Sequence, residues 1–128
     1  MLVVSHFTVP PGDGPELAGR AADALAAFAA RPGYRRGWFA RATDDASACV
    51  VVTEWDGVGA YRRSLSSYDV KVAAAPLLSL AEPGPSAFEV LHVVDAAGVA
   101  SHQPSGRAAD AGEVAVGRAA AAEVPPAG

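Results

Sequence analysis

The sequence predicts a small α+β domain with the element order strand, helix, strand, strand, helix, strand. Three observations predict it. The opening segment is rich in Val, Phe and Thr and stops at Pro10-Pro11-Gly12. Two later stretches repeat apolar residues at helical spacing. Between them, two β-rich segments flank the turn formers Asp44-Asp45-Ala46-Ser47.

Residues 2–9 read as the first strand. Val3, Ser5, Phe7 and Val9 fall on one face, and Leu2, Val4, His6 and Thr8 on the other. A strand apolar on both faces is normally covered on both. Residues 15–30 read as a helix. Asp13 with Glu16 forms a capping-box pattern, Pro15 suits the first turn, and Leu17, Ala21, Leu25 and Phe28 make an apolar stripe that ends at Pro32-Gly33. Residues 34–43 and 48–55 read as an antiparallel hairpin. The β-branched run Val50-Val51-Val52 predicts a central second arm, and Arg35, Arg36 and Arg41 predict an edge position for the first.

After Asp56, a plausible N-cap, Val58, Tyr61 and Leu65 share a helical face. Ser66-Ser67 weakens that helix, Asp69 suits the cap of a second piece, and Val70, Ala73, Leu77 and Leu80 continue the stripe. Pro76 predicts a kink or a shortened helix. Beyond Pro83-Gly84-Pro85, residues 87–94 read as the last strand. This order is the split βαβ, or ferredoxin-like, arrangement, with a four-stranded antiparallel sheet. We therefore divide the chain into a domain at 1–95 and a flexible tail at 96–128. The tail is dominated by Ala, Gly and Pro and has no aromatic residue. Residues 107–123 have the composition of a frayed alanine-rich helix, against which interior glycines count.

The bulk numbers exclude several classes. Of 128 residues, 51% are hydrophobic and 19% charged, which suits a globular protein with a real core. A net charge of −4 argues against nucleic acid as a partner, because phosphate binding needs clustered positive charge. No apolar run approaches the roughly 18 residues of a membrane span. Cys49 is the only cysteine, so no intrachain disulfide is expected, and with no signal-peptide pattern at the N-terminus this fits a reducing cytoplasm.

Several motifs carry a family resemblance: Val4-Ser5-His6-Phe7-Thr8-Val9-Pro10-Pro11-Gly12, then Arg31-Pro32-Gly33-Tyr34, then Val52-Thr53-Glu54-Trp55-Asp56 leading into a helix with Tyr61. Together they resemble the antibiotic biosynthesis monooxygenase family over about residues 1–95. The resemblance implies a homodimer in which two four-stranded sheets pack face to face as a dimeric α+β barrel. The sheet pattern agrees, since an apolar sheet face without a cover is a large sticky patch. It also implies a pocket between helices and sheet. The haem-degrading branch of the family uses an asparagine on the first strand, a tryptophan on the second helix and a haem-ligating histidine a few turns on. Those positions fall here on Ser5, near Tyr61, and near Ala74 and Ala75. No histidine lies between His6 and His92, so haem would lack its axial nitrogen. The expectation is a protein that needs no cofactor.

Within that frame, Ser5, Tyr61 and His92 are the candidate catalytic groups, and Phe7, Trp38, Trp55 and Tyr68 the candidate walls for a flat substrate. Tyr61 and Tyr68 carry hydroxyls suited to a phenol or quinone oxygen, and either tryptophan suits stacking or plain core packing. His6 and His92 fall on strands that this fold makes neighbours, as a possible histidine pair. No carboxylate stands at ligand spacing with them, so no metal is expected. His102 reads as a solvated tail residue and Cys49 as a buried hydrophobe. Arg35-Arg36 and Arg62-Arg63 read as solvated faces, or as an attractor for an anionic substrate if they converge. Ser5 lacks a Gly-x-Ser-x-Gly elbow, and no phosphate-binding or dinucleotide loop is present. Two functions follow. One is a small cofactor-independent monooxygenase acting on an aromatic or quinol-like molecule. The other is a non-catalytic dimeric module that binds a small ligand.

Overall fold

A computed structural model describes residues 1–102 of the chain. Its elements are β1 (Leu2–Thr8), α1 (Gly14–Ala29), β2 (Tyr34–Arg41), β3 (Ala48–Trp55), α2 (Val58–Ser64), α3 (Tyr68–Ala73), α4 (Ala75–Leu78), β4 (Ala87–Phe88), β5 (His92–Val94) and β6 (Ala100–His102). The first four strands form one antiparallel sheet in the order β2-β3-β1-β4. This is the ferredoxin-like topology, with β3 central and the arginine-bearing β2 at the edge. Strands β5 and β6 form a separate two-stranded sheet. Met1–Phe88 makes one compact unit, and the described residues 89–102 belong to another. The expected helix at 107–123 and the rest of the tail from 103 lie outside the described residues.

Alternation along β3 is complete: Cys49, Val51, Thr53 and Trp55 are buried, and Ala48, Val50, Val52 and Glu54 are half-covered. Register carries the buried set across the sheet, pairing Ser5 with Val51, Phe7 with Cys49 and Phe39 with Val51. Against it lie Leu17, Ala21, Ala24 and Phe28 of α1 and Val70, Ala74 and Leu77 of the later helices. Trp55 is the hub of this core, 1% exposed. Its ring packs edge-on to Phe28 and Tyr34 and obliquely to Tyr61, at centroid distances of 5.4–5.6 Å. Its Nε1 donates to the Thr53 hydroxyl at 2.8 Å, which satisfies the one polar atom of the indole.

The local details differ from the sequence reading in several places. The Asp13–Glu16 capping box does not close: Asp13 occupies the N-cap without a side-chain bond, and Glu16 pairs instead with Arg20 at 2.7 Å. Asp56 is not the cap of α2. Gly57 takes that position, and Asp56 accepts from Arg35 at 2.7 Å. The buried face of α2 is Ala60 and Ser64, while Val58 and Leu65 stay exposed. The cause is close approach: a methyl on Gly33, whose φ is +89°, would lie 2.4 Å from the Ala60 Cβ, so only small residues fit there. Finally, the expected last strand is broken. Residues 87–88 pair with β1, and the chain then leaves the sheet and begins a new hairpin at His92.

Ser66-Ser67 and Pro76 act as expected, dividing the second helical region into α2, α3 and α4. Ser67 rather than Asp69 starts α3.

Candidate functional site

Strand β1 has a partly free edge. Pairing with β4 stops at Val3, and the Pro-Gly-Pro segment before β4 arches over what remains. Two backbone bonds pin that strap: Val4 N donates to Ser86 O at 2.7 Å, and Glu82 N donates to His6 O at 2.8 Å. The Thr8 hydroxyl adds a bond to the Glu82 carboxylate. Under the strap lies a cavity of about 190 Å³, bounded by Ser5 and His6 of β1, Tyr61 of α2, Leu78 of α4 and residues 82–86.

Two hydroxyl-bearing residues line this space from different elements. Ser5 is buried on the helix side of β1, and no hydrogen-bond partner for its hydroxyl is found among the described residues. Tyr61 is half-buried against Trp55, and burial raises its phenol above the usual tyrosine value of about 10. At neutral pH it is therefore a firm hydrogen-bond donor, not an anion. His6 and Glu82 also line this space, tied to each other by the backbone bond of the strap.

The other expected site residues are elsewhere. Phe7 and Trp55 are core residues. Tyr68 is 79% exposed at the start of α3. Trp38, 42% exposed, stands on the face of the sheet away from the helices, with the Arg36 guanidinium 5.3 Å from its ring centre. His92 lies on the β5–β6 sheet, so the expected pairing of His6 with His92 does not occur; His92 faces His102. Arg35 and Arg36 do not form an anion attractor, because Glu54 and Asp56 neutralise them at 2.7 Å. Glu82 and the strap had no counterpart among the sequence candidates. Pro83-Gly84-Pro85 marked a break in the chain, but nothing local in it points to β1, which is about 80 positions earlier.

A second hollow of about 320 Å³ lies on the helix-free face, lined by His6, Thr8, Ala40, Ala42, Ala48 and Val50. Its small side chains explain the dent. The face continues into Leu2, Val4 and Val52, half-covered, with Phe88 and Trp38 exposed at its margins. No helix among the described residues is long and apolar enough to cross a membrane.

A ferredoxin-like sheet with a small cavity between its helices and the edge of β1 defines a small ferredoxin-like α+β domain. The antibiotic biosynthesis monooxygenase family model matches residues 1–76, more than half of the chain, and the chain belongs to that family. Among solved structures, it is similar to SnoaB, a cofactor-independent oxygenase from Streptomyces nogalater. The two share 28% identity over 70% of this chain and 94% of that one, with a TM-score of 0.57. It is also similar in fold to a conserved protein from Methanosarcina mazei, at 14% identity over 65% and 82% of the two chains and a TM-score of 0.56. No curated protein sequence matches it significantly.

Proposed function

We propose that the chain is a cofactor-independent monooxygenase that takes an aromatic or quinol-like molecule into the cavity under the strap. The observation that carries this reading is that Ser5 and His6 of β1 and Tyr61 of α2 line one partly apolar cavity. The 28% identity to an oxygenase described as cofactor-independent supports it. The volume narrows the substrate. A cavity of about 150 Å³ already admits benzene, whereas drug-sized ligands occupy roughly 300–1,000 Å³. At about 190 Å³ the site suits one or two rings unless the strap yields.

The chemistry asks little of the protein. His6 takes a proton from an activated methylene or hydroxyl of the substrate. The Tyr61 phenol donates to the oxyanion that forms, and Ser5 holds a second oxygen in place. The electron-rich anion then reduces dioxygen. For a methylene substrate, the carbon loses two hydrogens and keeps one oxygen atom as a carbonyl, while the other oxygen leaves as water. All the electrons come from the substrate.

The same reading includes a homodimer built through the helix-free face, which covers Trp38, Phe88 and the half-buried valines with a second copy of themselves.

The test is oxygen uptake with anthrone-, naphthol- and hydroquinone-type compounds. Consumption of one dioxygen per carbonyl formed, with kcat reduced in Tyr61→Phe, is the expected result. If every compound is bound and recovered unchanged, the chain is the ligand-binding module instead.

A further inference from the structure

The chain has three histidines, and two of them face each other across β5–β6. Neither lines the cavity described above. Their hairpin is tightly specified. Asp95 N donates to Val99 O and the Asp95 carbonyl accepts from Gly98 N, both at 2.9 Å, while its carboxylate accepts from the Ala97 and Val99 amides at 2.9 and 2.8 Å. Gly98 supplies the positive φ of +83° that the turn needs. This turn sets the register Val94 to Ala100, Val93 to Ser101 and His92 to His102. The two imidazoles end up with Nδ1 atoms 3.1 Å apart, ring centres 5.1 Å apart and planes at 72°, both exposed.

We propose that His92 and His102 form a bidentate site for a divalent transition-metal ion of the copper, nickel or zinc kind. Imidazole nitrogen binds such ions at about 2.0–2.1 Å, so two ligands meeting at roughly 90–110° stand about 2.9–3.4 Å apart. The observed 3.1 Å falls inside that bite without movement of the backbone. Without metal, the same distance suits one neutral ring donating Nδ1–H to the other. On binding, that ring keeps its charge and moves its proton to Nε2, and both Nδ1 lone pairs serve the ion. Nitrogen donors select copper, nickel and zinc over magnesium and calcium.

Two further facts define the site. The only thiol, Cys49, is buried in the core and does not compete. Among the described residues, no group of three or more His, Cys, Asp or Glu is assembled to hold a metal. The site is therefore an open, exchangeable two-ligand one, with its remaining positions left to water. The two histidines are the first residue of β5 and the last of β6, so the ion ties the open end of the hairpin opposite its turn.

Calorimetric titration of the full chain with nickel(II) and copper(II) tests the proposal, with hydrogen exchange of the 92–102 amides as an independent readout. The expected result is one equivalent bound, copper more tightly than nickel, with slowed exchange in β5 and β6. His92→Gln and His102→Gln should each weaken binding at least about tenfold, since even outer-shell partners of metal ligands are worth 10–100-fold. His6→Gln should leave the affinity unchanged. Wild-type affinity in both hairpin variants would overturn the site, as would binding that disappears with His6. Metal bound without added protection of the hairpin would overturn it equally.

Discussion

Two aromatic side chains six positions apart, Trp55 and Tyr61, touch each other and do different work. Trp55 is fully enclosed by Phe28, Tyr34 and Tyr61, with its Nε1 satisfied by Thr53. Trp55→Ala should cost about 3–5 kcal/mol of stability, measured by urea unfolding, because the space it leaves is walled by rigid rings. Tyr61 has its ring in that core and its hydroxyl on the cavity. Tyr61→Phe should leave stability nearly unchanged and lower kcat roughly 10- to 100-fold, the worth of one hydrogen bond to a developing charge. Its titration makes a separate prediction. Burial favours the neutral phenol in the folded state, so folding holds that proton after the unfolded chain has released it. The stabilisation is complete below the ordinary tyrosine value of about 10 and is lost as the pH rises through the raised folded value. Urea midpoints measured at rising alkaline pH should therefore fall more steeply for the native chain than for Tyr61→Phe.

At the level of elements, the position of α2 decides what the cavity contains. Asp56 N donates to Gly33 O at 2.8 Å, and Gly33 sits against Ala60 with no room for a methyl. This contact turns Ala60 and Ser64 inward and leaves Tyr61 at the border of core and cavity. Gly33→Ala should destabilise the chain by roughly 1–3 kcal/mol, since it combines a positive φ with a steric clash. Adding Ala60→Gly should recover only the clash part, as thermal unfolding of the double variant would report. The strap is the second deciding element. Its hold on β1 rests on two backbone bonds and on the exposed Thr8–Glu82 pair. Thr8→Val should therefore speed hydrogen exchange at the Glu82 amide while leaving exchange in β3 unaltered.

For the whole molecule, the two faces of the main sheet have different fates. One is sealed by α1, α3 and α4; the other shows Trp38 and Phe88 beside half-covered Leu2, Val4, Val50 and Val52. If a second copy seals it, Trp38 is one of the large exposed apolar side chains that the contact would cover. Trp38→Glu should then weaken self-association by at least about 2 kcal/mol, roughly thirtyfold, read by sedimentation at micromolar concentration. A native chain that sediments as a monomer at such concentrations would remove the dimer from the proposed function without touching the cavity.

Much of the architecture was legible because it is written in short-range pattern. Val50-Val51-Val52 marks a central strand, Arg35, Arg36 and Arg41 mark an edge, and Ser66-Ser67 and Pro76 divide a helical region. Ser5 and Tyr61, which line the cavity, were legible as candidates through the motifs around them. The Asp95-to-Gly98 turn was a readable signal for the β5–β6 hairpin, and following its register would have paired His92 with His102 rather than with His6. By contrast, the inward face of α2, the closing of the cavity by Glu82 and the strap, and the burial of Trp55 against the exposure of Trp38 and Tyr68 were decided only by tertiary structure. Periodicity says which residues share a face but not how near the neighbouring backbone comes. At Gly33, at the edge of β1 and around the Trp55 ring, that distance between remote parts of the chain is what selects the side chain facing in.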